Sequence, residues 1–258
     1  MIFGIYPGGV AGTDSGLASG PPENPAAVSQ ALDALQGAQE SFAVRAYVAF
    51  TGDPDGLEVG VTSPPEVLES YAVNGRKLDL VLCCRDERGD TAAWIAFVRN
   101  AVRRYGPILG SLQIGEEPNL YHYPGDGMFL PQIVPNLLSG VPAAKQQAAR
   151  LGYPIQVGIN SVPCFDPHDR FWTSFAAAVS PEFLAALDYV AFDFFPDVFH
   201  PVPQADLVPA VSHVLTHFRN VVLESASIPR SVRSTLAKTA GPPAPTGPMN
   251  ASPRSSNP

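Results

Sequence analysis

Six short apolar runs, each followed by a segment with helical spacing, constrain this chain more than any other feature of its sequence. The runs are residues 2–6 (IFGIY), 42–50 (FAVRAYVAF), 78–84 (LDLVLCC), 108–114 (ILGSLQI), 155–160 (IQVGIN) and 189–195 (YVAFDFF). Their length and β-branched and aromatic content mark strands. Residues 25–39 then place Ala27, Val28, Ala31, Leu32 and Leu35 at helical spacing, and residues 91–105 do the same with Ala92, Ile95, Ala96, Val98 and Val102. Ser63-Pro64-Pro65-Glu66 has the form of a capping box with proline in the first turn, opening a helix through about Val73. Further helices are expected over 133–151, over 171–187 with a break at Pro181, and over 205–223. Strands alternating with helices imply a parallel sheet with right-handed crossovers. Two architectures fit, a doubly wound open sheet and a (β/α)8 barrel. Polar residues gather just past the strand ends: Tyr6, Thr51 with Asp53, Arg85, Glu117, Asn160 and Asp193. A barrel collects those ends around one mouth. No GxGxxG or P-loop follows any strand, which weighs against a nucleotide-binding open sheet. The expected fold is therefore α/β, of the (β/α)8 TIM-barrel type but incomplete, with about six βα units.

Charge and composition exclude several functions. Sixteen basic residues against twenty-four acidic ones give a net charge of -8. A nucleic acid or an anionic membrane calls for basic surface, so neither is an expected partner. Three cysteines (Cys83, Cys84, Cys164) are too few for a disulfide framework. The first residues, MIFGIYPGG, lack the basic and apolar regions of a signal peptide, and the expected location is cytoplasmic. The histidines form no metal pattern: His213 and His217 lie four apart without an HExxH context. No metal and no cofactor are expected. Trp94 and Trp172 sit in helical segments and read as core residues.

The chemistry concentrates in Q-I-G-E-E-P-N, residues 113–119, at the end of the fourth strand. A carboxylic acid that protonates a leaving oxygen near neutral pH needs a raised pKa. Burial at a strand end and a neighbouring carboxylate, Glu116 beside Glu117, both push that way. Pro118 fixes the backbone where the strand enters its loop. The stretch IGEEPNL resembles the fourth-strand motif of retaining glycoside hydrolases of the large (β/α)8-barrel clan, in which an Asn-Glu-Pro triplet supplies the general acid/base. That resemblance implies Glu117 as acid/base, with Glu116 where the clan carries an asparagine that touches the substrate. It also implies Arg45 as the second-strand arginine that keeps the nucleophile ionised, and a carbohydrate as the substrate or ligand. The sixth run, DYVAFDFFPDVF, resembles the clan's sixth strand, with Phe195 near the position of a tyrosine and Asp193 able to face the mouth. Asn160 and Tyr121 are further candidates for sugar contacts, as are His122 and Tyr123.

The nucleophile of such an enzyme should be a second glutamate, at the end of a seventh strand, yet Glu224 is the last acidic residue. Helical spacing runs through VVLES, so Glu224 reads as a helix end. After it the four charged residues are all basic, and from Gly241 six prolines fall in eighteen residues. A stretch of that composition does not bury enough apolar area to order itself. The chain thus divides into an incomplete barrel over 1–228 and a disordered or out-of-frame tail over 229–258. Codons exist for Pro229 through Pro248 whose neighbouring frame, offset by one nucleotide, reads AVRPIHIGENGWPTGP, which looks like the clan's nucleophile motif. The expectation is a glycoside hydrolase-like chain that is inactive or nearly so. Two alternatives stand beside it: a non-catalytic carbohydrate-binding barrel, and a complete hydrolase pairing Glu117 with Glu224 or Asp193.

Overall fold

The computed structural model describes residues 3–7, 10–13, 16–19, 24–57, 68–122, 125–129, 132–164, 170–195 and 202–238. The chain opens with β1 (Phe3–Ile5) and an antiparallel hairpin of β2 (Val10–Thr13) and β3 (Gly16–Ser19). It continues through α1 (Pro25–Gln36), β4 (Phe42–Phe50), β5 (Lys77–Cys84), α2 (Thr91–Tyr105), β6 (Leu109–Ile114) and α3 (Ile133–Leu151). Next come β7 (Gln156–Ser161), α4 (Phe171–Ala178), α5 (Pro181–Ala186) and β8 (Tyr189–Asp193). Then α6 (Leu207–His217) runs through a π turn into α7 (Leu223–Ser225), and β9 (Arg233–Lys238) follows.

Local chemistry sets these boundaries. Asn24 and Asp90 accept backbone N–H bonds from Ala27 and Ala93 and start α1 and α2. Ser180 caps α5 with proline in the first turn, while Gly152, in the left-handed region, ends α3.

Seven strands form one sheet in the order β1-β4-β5-β6-β7-β8-β9, and every neighbouring pair is parallel. A doubly wound sheet reverses its strand order at a switch point. This sheet never does, since each new strand adds to the same side. The winding is that of a (β/α) barrel, incomplete at seven strands among the described residues. The sequence pointed to six; the seventh, β9, falls in the segment expected to be disordered. Residues 239–258, the proline-rich remainder of that tail, lie outside the described residues, as does the Ser63 capping box. The described part of the expected helix after that box is a 3-10 turn, Leu68–Tyr71.

Strand alternation sorts side chains between two environments. Leu78, Leu80, Leu82, Leu112, Ile114, Val157, Ile159, Val190 and Phe192 face outward into the main apolar core under the helices. Trp94 and Phe97 of α2 pack there against Phe50, with ring centroids 5.2 to 5.8 Å apart, and the indole N–H donates to the Asn136 carbonyl. Tyr47, Ala49, Val81 and Cys83 form a small second cluster with Tyr6. That other face also carries Arg45, Asp79, Ser111, Gln113, Asn160 and Asp193. Its polarity departs from the apolar lining that near-continuous apolar strands suggest.

Candidate active site

The polar face is wired from its floor upward. Arg45 on β4 is buried, with NH1 2.6 Å from the Asp79 carboxylate, NH2 donating to Gln113 Oε1 and Nε donating to the Tyr47 hydroxyl. Burial works against its charge, but the Tyr47 oxygen, Asp79, Glu116 and Asp193 outweigh that and hold the guanidinium above its ordinary pKa. Ser111 donates to the other Asp79 oxygen at 2.6 Å. Gln113 then passes the network upward, its Nε2 donating to Glu116 Oε2 at 2.9 Å.

At the end of β6 the chain turns through Gly115 (φ 79°) and Glu117 (φ 46°), both left-handed. A side chain at 115 would also press on the Leu137 methyl group, so both the backbone angle and the space favour glycine there. Glu117 is a non-glycine residue in a region that L-residues seldom adopt. One tertiary and one local hydrogen bond hold it. Its N–H donates to Asn160 Oδ1 at 2.8 Å, and its carbonyl accepts from Leu120 N–H at 2.9 Å. Asn119 exchanges two bonds with the Val162 backbone, tying the loop after β6 to the loop after β7. Asp126 accepts the N–H groups of both Glu116 and Cys84.

Three carboxylates meet here. Glu116, Glu117 and Asp193 are 4%, 6% and 1% exposed, and each brings an oxygen within 4.8 Å of the others. Asn160 Nδ2 donates to Asp193 at 2.6 Å and reaches Glu116 Oε2 at 3.4 Å. Arg45 Nη2 lies 3.7 Å from Glu116, so protein donors and a guanidinium already serve the cluster. Carboxyl groups set this closely and shielded from water are suited to giving and taking protons.

Of the residues singled out in the sequence, Glu117, Glu116, Asn160, Asp193 and Arg45 are brought together. Tyr121 lies in the loop beyond them, exposed. Glu224 sits in α7, exposed and 3.3 Å from Arg230, and does not join the cluster. Gln113, Asp79, Asn119 and Asp126 were not anticipated. A glutamine inside an apolar strand was a readable sign for the first; the loop residues Asn119 and Asp126 gave none.

No family model matches the chain, and no curated protein does either. Solved structures similar to it include a beta-glucosidase from Exiguobacterium marinum, at 12% identity and a TM-score of 0.39, covering 64% of this chain and 53% of that one. A family 1 beta-glucosidase from Thermotoga maritima aligns at 11% identity and a TM-score of 0.42, over 67% and 53% of the two chains. The GH1 beta-glucosidase from Exiguobacterium antarcticum B7 aligns at 10% identity and a TM-score of 0.40, over 83% and 76%. The chain thus spans about half the length of the first of these. No helix among the described residues is long and apolar enough to cross a membrane.

Proposed function

We propose that this is the site of a retaining hydrolase of O-glycosyl bonds, with Glu117 as general acid/base, in a chain that as given turns over little or no substrate. One observation carries the reading: Glu117 is buried beside Asp193 at the carboxyl end of the fourth sheet strand, in the motif IGEEPNL. Catalytic groups of barrels gather at that end. Glu116, Asn160 and Asp193 offer acceptors and donors to sugar hydroxyls, Arg45 braces them from below, and Tyr121 offers a ring at the rim. A carbohydrate is the substrate class, and the scheme calls on no cofactor.

A retaining mechanism needs a second carboxyl ~5–5.5 Å from the first, attacking the anomeric carbon. The clan's position for it is the end of the seventh strand. Here that strand is β9, which ends at Lys238, in register with Asp193. We read residues 229–258 as translated out of frame. With codons that give AVRPIHIGENGWPTGP in the neighbouring frame, the glutamate takes two of its three bases from the Lys238 codon, at the last residue of β9. The gene's nucleotide sequence tests this; a shifted frame without a strand-like run ending in glutamate refutes it.

A second reading has support of its own, since Asp193 lies within 4.8 Å of Glu117 and could serve as its partner. Purified protein assayed on aryl β-glycosides separates the two. Turnover no higher than that of Glu117→Gln agrees with the inactive reading. Efficient cleavage lost in both Glu117→Gln and Asp193→Asn establishes the Asp193 pair instead. Saturable sugar binding without turnover, abolished by Glu117→Ala, identifies a binding barrel.

A further inference from the structure

A buried carboxylate below the Glu116–Glu117 turn has no part in that chemistry. Asp126 opens the short 3-10 turn Asp126–Phe129 and is fully buried. Its Oδ2 accepts two backbone N–H groups, from Cys84 at 2.7 Å and from Glu116 at 2.8 Å. Its own N–H returns a bond to the Glu116 carbonyl at 2.7 Å. Cys84 is the last residue of β5, and Glu116 is the second residue beyond β6. The β5–β6 ladder ends in register at Leu82 and Ile114, with one more bond from Gly115 N–H to the Leu82 carbonyl. Past that point a side chain takes over the backbone's role.

We propose that Asp126 is a proton-sensitive positioning residue, whose carboxylate fixes the Glu116–Glu117 turn against the end of β5. A buried carboxylate accepting two N–H bonds holds them more strongly when ionised than when neutral. Among the described residues, few groups face it. Arg85, after β5, brings Nε to 3.3 Å from Oδ1 and favours the ionised form, as do the two N–H groups. Glu116, after β6, disfavours it. The Cys84 thiol, pushed up to about 12 mainly by burial, stays neutral across the physiological range. The nearby helix α3 brings uncharged groups, Asn136 donating to the Cys84 sulfur and Leu137 lying against Gly115. Burial outweighs these partners and pushes the Asp126 carboxyl up to about 7. A small pH change around neutrality then alters how firmly the turn is held.

The consequence for proton donation rests on Glu117 being the acid/base, but the test does not, because it reads the backbone. Amide resonances of Cys84 and Glu116 in the full chain are followed by NMR from pH 5 to 9. Both are expected to move together with a midpoint near 7, and to stop moving in Asp126→Asn, which keeps an acceptor oxygen but has no charge to lose. In Asp126→Ala the Glu116 amide should exchange faster by on the order of tenfold or more, with Asp126→Asn restoring part of the protection. If Asp126→Ala does not fold, the Asp126→Asn titration decides alone. The proposal is overturned if the two amides titrate unchanged in Asp126→Asn, if neither titrates in the wild type, or if Asp126→Ala leaves Glu116 protection intact.

Discussion

Asn160 uses both ends of its amide on the carboxylate cluster, accepting from Glu117 N–H and donating to Asp193. Asn160→Ala removes both bonds and leaves a buried carboxylate and a strained backbone N–H without them. Urea denaturation should show a loss of about 2–4 kcal/mol; a loss under 0.5 kcal/mol would mean that the cluster rearranges without it. Asp126 gives a pH dependence whose sign is fixed by burial. Its folded pKa, about 7, lies above the ordinary value of 3.8, so the folded chain holds a proton that the unfolded chain releases between these limits. Stability from this group is therefore complete below about pH 4 and declines as the pH rises to 7. Relative to the wild type, Asp126→Asn should become progressively more stable across that window, by a few kcal/mol at most; parallel denaturation curves at pH 4.5 and 7.5 would contradict it. Much of the cluster was legible because Glu117, Asn160 and Asp193 are polar residues closing apolar strands. Asp126 and Asn119 were not, because they act on backbone groups of Cys84 and Val162, 42 and 43 residues away. No local pattern in the sequence encodes such a reach.

Among the elements, α2 and α3 match the sequence reading at both ends, since each buries one side under strong periodicity. The strand β4 matches equally well. The strand β9 is not legible in the sequence because RSTLAK has a single large apolar residue and leads into a proline-rich stretch. Its place comes from pairing with β8 rather than from its own preference, an override common in strands. The hairpin of β2 and β3 is equally illegible in the sequence, its glycines resembling loop punctuation. Helix α6 shows the opposite imbalance. Its spacing is as regular as that of α2, yet it has no fully buried residue, and Val208 is 74% exposed. Helical stability comes mostly from burying an apolar face, so α6 should open more readily than its neighbours. Hydrogen exchange by mass spectrometry should show peptides of α6 exchanging well before those of α2 and α3. Equal protection in all three would show that α6 is held by more than the packing described.

On the scale of the molecule, the consequence that matters is an unclosed sheet. Closure removes strand edges, and a barrel of this winding closes at eight. Among the described residues, β1 pairs only with β4 and β9 only with β8, so the sheet has two edges. Apolar side chains accompany them, with Ile5 37% and Leu236 44% exposed. Such edges favour association with other chains, whereas the net charge of -8 opposes it. Repulsion between like-charged copies acts over about 10 Å at 0.1 M salt and shortens as salt rises, while apolar contact and strand pairing are not screened. Salt should therefore promote self-association. Sedimentation velocity on the full chain should show monomer at low salt and low concentration, with larger species growing as either increases. Association that dissolves on adding salt would instead point to the basic tail binding the acidic body, because only that interaction is weakened by screening. A monomer under every condition would mean that the two edges are already covered.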